Sequence, residues 1–268
     1  MRRIISFDCG GDRLVGTLDV AEGTTGLLIV SGGNEIRSGA HAGQAALAAH
    51  FAARGHPVFR YDRRGIGESE GTNGGFLSSA ADIAAAVVTF RAEAPQMERL
   101  VTFGNCDSAT ALALFHGGIA INALVLANPW VIEAAGGDGP TAPTATAIRA
   151  RYLDRLKNPR SLLDLFTGKI DLKKLAGGLA KAAQREAPTA LAAQLAGALA
   201  TTALPVDILV ARRDTTALAF MGAYDSALFD AVRTRNNIAL STTDSASHSF
   251  ADAQSNAWLT ASLIANLA

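Results

Sequence analysis

Read for apolar and polar positions, the chain falls into short apolar runs separated by glycine-rich turns, with stretches of helical period between them. Ile4 to Cys9 and Leu14 to Val20 read as two strands joined through Gly10-Gly11-Asp12, a turn that predicts an antiparallel hairpin at a sheet edge. Gly26 to Val30 reads as a buried strand ending in Ser31-Gly32-Gly33-Asn34, with a helix over Ala40 to Arg54 behind it. Pro57 to Tyr61 is the next strand, running into the turn from Asp62 to Ser69 and a helix from about Ser79 to Ala94. Leu100 to Phe103 leads through Gly104-Asn105-Cys106-Asp107-Ser108 into the helical run Ala109 to Leu114. Ala123 to Ala127 is a further strand, closed by Asn128-Pro129-Trp130. Such alternation predicts a mostly parallel central sheet with helices on both faces.

From Val131 to about Leu204 the alternation stops. A loop rich in Gly, Pro and Thr is followed by helical runs around Ala147 to Lys157, Ser161 to Phe166 and Leu172 to Ala200, with no convincing strand. The sheet resumes at Pro205 to Ala211, continues through a helix to a last strand at Asn237 to Thr242, and ends with a helix from about Ser255 to Leu267. The expected division is a core of residues 1–130 and 205–268 with a helical lid, 131–204, inserted over the carboxyl ends of the strands.

The turn after Phe103 is where the chemistry concentrates. A strand-to-helix elbow of the form G-x-S-x-G needs small residues on both sides, because its nucleophile sits in strained backbone and the helix packs close. Here Cys106 stands at the serine and Ser108 at the second glycine. A helix N-terminus beginning at Asp107 favours a thiolate there; the other reading is a buried structural cysteine at a strand end.

A nucleophile needs a base, an orienting acid and oxyanion donors, in the chain order nucleophile, acid, histidine. His248 follows the last strand in a polar loop and is the one histidine beyond the elbow and its helix; His41, His50, His56 and His116 sit on or beside helices. Asp214 directly follows the strand ending at Ala211, where a carboxylate can hold the imidazole; it is also a favoured residue to cap the helix that comes next. Asp244 lies too near His248 in sequence, and Asp62 is explained by its turn. The oxyanion donors are expected at the backbone N–H of Asp107 and in the glycine loop, with Gly33 first and Asn34 second.

Composition narrows the class. In 268 residues, 49% of them hydrophobic, there is material for one large α/β domain. Lys+Arg and Asp+Glu both number 24, so net charge argues for neither nucleic acid nor an anionic membrane. The apolar runs are too short for a membrane span or signal peptide, and two cysteines, Cys9 and Cys106, suggest no disulfide framework and no metal spacing. A cytoplasmic setting without cofactor is expected. Between Arg149 and Arg185 ten Lys or Arg stand against three Asp. That run reads either as a docking face for an acidic acyl carrier protein or coenzyme A thioester, or as a solvated helical face.

At these residues the sequence resembles the α/β-hydrolase superfamily, and within it the exosortase A system-associated hydrolases of type 1. The likeness spans nearly the whole chain. It is carried by Gly32-Gly33 with Arg37-Ser38-Gly39-Ala40-His41, by Tyr61-Asp62-Arg63-Arg64-Gly65-Ile66-Gly67-Glu68-Ser69, by Gly104-Asn105-Cys106-Asp107, by Arg213-Asp214-Thr215-Thr216-Ala217 and by Ser247-His248-Ser249-Phe250. It implies the α/β-hydrolase fold and a hydrolase of small carboxylic esters or thioesters, with Cys106 as nucleophile, His248 as base and Asp214 as acid. Two positions depart from it: Asn34-Glu35 stands where Pro-Gln is expected, and Ser108 at the elbow's second glycine. An acyltransferase using the same acyl-cysteine, or a binding module that keeps the fold without catalysis, are the rival readings. Trp130, Phe166, Phe220 and Met221 are the candidate substrate-pocket residues.

Overall fold

The computed structural model describes residues 1–133 and 189–268. Its centre is an eight-stranded sheet: β1 (Arg2–Cys9), β2 (Asp12–Asp19), β3 (Thr25–Val30), β4 (Val58–Tyr61), β5 (Arg99–Asn105), β6 (Ala123–Ala127), β7 (Val206–Ala211) and β8 (Ile238–Thr243). The spatial order is β1-β2-β4-β3-β5-β6-β7-β8. β2 runs antiparallel to both neighbours, and every pair from β4 to β8 is parallel. The hairpin closes as expected: Cys9 pairs with Asp12, and the two glycines between them have φ of +64° and +96°, the left-handed pair that a tight two-residue turn demands.

The inner strands are mostly apolar because both faces are covered, β6 throughout. Along β3 the side chains still alternate: Leu28 and Val30 enter one core, Leu27 and Ile29 the other. The first core is closed by α2 (Ala80–Glu93), α3 (Asp107–Phe115), α4 (Ala190–Thr201) and α5 (Thr215–Tyr224), which contribute Phe90, Leu112, Leu195 and Phe220. The second is closed by α1 (Gly43–Ala52) and α7 (Ala253–Leu267) through Phe51, Leu259 and Leu263. The short α6 (Asp230–Arg233) precedes β8, the exposed edge strand. Each of these large side chains stabilises the fold by about 1.5–3 kcal/mol on burial, and together they hold the carboxyl ends of β3, β5, β7 and β8 side by side.

Two expectations need correction. The helix expected to start at Ala40 begins with a single turn, Ala40–Ala42; His41 and Ala42 have φ of 51° and 57°, and the α-helix starts only at Gly43. The second concerns the lid. Ala190–Thr201 lies within the 131–204 insertion, yet Leu195 and Leu199 are fully buried in the core against α3. Thr189 caps this helix by accepting the Ala192 N–H, and its side chain also donates to Val131 O at 2.7 Å. Glu133 Oε1 accepts the Leu191 N–H at 2.7 Å. Residues 131–133 and 189–191 therefore lie side by side. The helical runs expected before Thr189, Phe166 and the basic run from Arg149 to Arg185 lie outside the described residues. Among the described residues no helix is long and apolar enough to cross a membrane.

Candidate active site

The elbow forms at the end of β5 with Cys106 at φ 66° and ψ −129°, a conformation costly for a residue with a Cβ. Backbone bonds hold it there. Its N–H donates to Ala127 O at 2.9 Å, and its carbonyl accepts from Ala109 and Trp130. A Cβ at Gly104 would lie 2.8 Å from the Ser108 backbone, so the first small position of the motif is a packing requirement. Ser108 has a use of its own: the buried hydroxyl donates to Val30 O at 2.8 Å and accepts the Asn105 N–H at 3.0 Å, tying the elbow to β3.

His248 reaches this turn from the loop after β8. Its Nδ1 lies 3.0 Å from Asp214 Oδ2, and the ring lies near enough to Cys106 for the sulfur to influence its charge. The bond to Asp214 is the larger influence and the neighbouring Cys106 the next; against the cost of burial they push the imidazole pKa up to about 10. The Asp214 side chain is 7% exposed. The same Oδ2 accepts the Ala217 N–H at 3.0 Å, so the carboxylate caps α5 and holds the histidine at once. The two readings of Asp214 describe one geometry. Asp244 instead pairs with Arg213 at the surface, 3.1 Å away, and Asp62 is fully buried beneath the Arg37 backbone N–H and guanidinium.

Two asparagines that sequence reading passed over position the histidine loop. Asn105 and Asn128 both donate to the His248 backbone carbonyl, at 3.0 and 3.2 Å. Asn128 is fully buried, donates as well to Asn105 Oδ1 and accepts the Ala211 N–H at 2.8 Å, joining the ends of β5, β6 and β7. A polar residue closing an all-apolar strand, as Asn128 closes β6, was the available signal. Below the loop, Phe250 is buried in the second core and stacks on Trp258.

The oxyanion donors differ from expectation. The Gly33 N–H, first choice for the role, is taken by the Asp107 side chain, with Oδ1 at 2.7 Å. Burial pushes the Asp107 carboxyl pKa up; the Gly33 N–H, Arg63, the Ser108 N–H and His248 oppose that rise. Among the described residues the backbone N–H groups of Asn34 and Asp107 have no acceptor. Of the pocket candidates, Phe220 is fully buried between Tyr224 and Phe229 in the core and offers no surface to a ligand. Met221 is partly buried against that core. Trp130 is half-buried beside the elbow, bonded to Cys106 and Thr110 through its backbone.

Comparison with known proteins agrees with this frame. The serine aminopeptidase S33 family of hydrolases matches residues 26–175, more than half of the chain. The esterase Pf2001 of Pyrococcus furiosus superposes with a TM-score of 0.64 at 14% identity, over 99% of this chain and 90% of that one. An esterase from Exiguobacterium antarcticum gives 0.61 at 14%, over 98% of each chain. The thioesterase domain from the curacin biosynthetic pathway gives 0.58 at 13%, over 99% of each. At such identities the likeness is one of fold, and the fold is that of the α/β hydrolases. No curated protein matches the chain.

Proposed function

The chain belongs to the serine aminopeptidase S33 family, and from that premise we propose that it cleaves carboxylic ester or thioester bonds through a covalent acyl-Cys106 intermediate. The observation that carries this reading is the 3.0 Å hydrogen bond from His248 to Asp214, with the imidazole beside Cys106 at the strained elbow. The family's name specifies serine, and here the position holds cysteine. The narrower likeness to the exosortase A system-associated hydrolases, and a helical lid within residues 131–204, belong to the same proposal.

With Nδ1 facing Asp214, the other ring nitrogen serves the sulfur, and the raised imidazole pKa favours a ring that keeps the proton at neutral pH. The thiolate attacks the acyl carbon, a C–S bond forms, and the carbonyl electron pair moves onto oxygen, which the N–H groups of Asn34 and Asp107 receive. As the intermediate collapses, the C–O or C–S bond to the leaving group breaks and His248 protonates that group. Neutral His248 then takes a proton from water; the hydroxide attacks, the acid departs, and sulfur leaves as thiolate. Because a thiolate leaves so readily itself, thioesters and activated esters are favoured over amides. Intact-mass spectrometry across a panel of esters and thioesters tests this: one acyl adduct is expected, lost in Cys106→Ala. No adduct on the wild-type chain from any substrate overturns it.

A further inference from the structure

Gly33 sits at φ +56° in the loop after β3 and is held at both polar groups. Its N–H donates to Asp107 Oδ1 at 2.7 Å, and its carbonyl accepts from the buried guanidinium of Arg63. The neighbouring positions are fixed as well. Glu35 N–H donates to Gly32 O at 3.1 Å, and Arg37 N–H to the buried Asp62 at 2.6 Å. The Asn34 side chain accepts from Asn73 at 2.9 Å. A Cβ at Gly32 would stand 2.8 Å from Asp107 Oδ1 and 2.5 Å from Asn105 O, so the loop lies directly against the elbow. In a trans peptide the N–H points opposite to the preceding C=O. Fixing the Gly33 carbonyl on Arg63 therefore turns the Asn34 N–H away from that guanidinium, as the one backbone donor of residues 33 and 34 without an acceptor among the described residues.

We propose that the Asp107 side chain is a positioning residue: with Arg63 it clamps Gly33 and so sets the Asn34 N–H as the second oxyanion donor, a task separate from the backbone N–H of Asp107 itself. This rests on the acyl-Cys106 reading. A carboxyl group that reaches back from the first turn of α3 to another strand's loop, and accepts its N–H at 2.7 Å, does more than complement the helix dipole, which a solvent-facing acid would do as well.

The test separates acylation, which requires an oxyanion site, from alkylation, which does not. With the full chain, p-nitrophenyl acetate reports acylation of Cys106 and iodoacetamide reports alkylation of the same sulfur. In Asp107→Ala, acylation falls about 10- to 100-fold, the scale of a displaced oxyanion donor, with KM little changed and alkylation within about twofold. Asp107→Asn, whose amide oxygen can still accept the Gly33 N–H, restores most of the loss. Thermal unfolding confirms that each variant is folded, and Asp107→Leu replaces the alanine variant if that one is not. Acylation in the alanine variant equal to or faster than wild type overturns the clamp and makes the carboxylate a plug. Equal loss of acylation and alkylation overturns it by placing Asp107's effect on the sulfur. A wild-type chain alkylated at Cys106 yet never acylated brings down the hydrolase reading itself, and the clamp with it.

Discussion

Cys9 and Cys106 are both cysteines at the end of a strand or just beyond it, and in sequence neither announces itself. Their surroundings are opposite. Cys9 is 4% exposed and its thiol faces the Asp82 carboxylate at 3.5 Å; burial first, and Asp82 next, push its pKa up. Cys106 is half-exposed at a left-handed turn, at the start of a helix, with the His248 imidazole beside it. A carboxylate beside a thiol opposes its ionisation, whereas an imidazole held by a carboxylate accepts the proton. Strand-end placement brings a cysteine into position; the partner decides whether it reacts.

The sharpest way to break this contrast is to remove each sulfur. Cys106→Ala and His248→Ala are expected to lower kcat/KM by about 10⁴-fold or more, as losses within one catalytic unit do, while Cys9→Ala stays within about twofold. Equal losses from the two cysteines, read in the same steady-state assay, would erase the distinction. Asp214→Asn follows, with about a 10³-fold drop, because the amide cannot stabilise the imidazolium.

Labelling sharpens the comparison without mutation. Iodoacetamide, followed by peptide mass spectrometry, should modify Cys106 at least about 100-fold faster than Cys9 in the folded chain, and the two should converge in denaturant. Smaller still is the effect of Asn128→Ala, about 1–3 kcal/mol in denaturant unfolding, since it orphans the Ala211 N–H and releases the His248 loop.

The weakest expected effect is in pH. The folded imidazole binds its proton more tightly than an unfolded one, so its contribution to stability is full below its ordinary value of 6.5, shrinks as pH rises, and is gone above about 10. The Tm gap between wild type and His248→Asn should narrow across that window; a gap that widens with pH would contradict the Asp214–His248 pairing. Asp107 has the same sense: burial raises its folded pKa, so its contribution to stability also falls as pH rises through its titration. Asp107→Asn removes that dependence, so the Tm of the variant relative to wild type should rise with pH.

Much of this was written in local pattern. The parallel strands are legible because burial on both faces makes most of their positions apolar, the hairpin because two glycines can take the positive φ its turn requires, and the order Cys106, Asp214, His248 because each follows a strand end. Pattern misled where neighbours choose. Phe220 has the look of a pocket aromatic, but the register of α5 turns it into the core. Ala190–Thr201 reads like more of the insertion, but its apolar face packs on α3.

The residue-to-residue bonds of the site belong to the tertiary level. That Asp214 caps a helix and holds a histidine with one oxygen, that Asn105 and Asn128 grip the His248 carbonyl, and that Asp107 occupies Gly33 all join residues far apart in the chain. Sequence by itself determined which residues stand at strand ends, because periodicity and turn chemistry are properties of neighbours along the chain. Only the packed sheet decided which donors face which acceptors there, because a hydrogen bond depends on distances of a few tenths of an ångström that no local pattern carries.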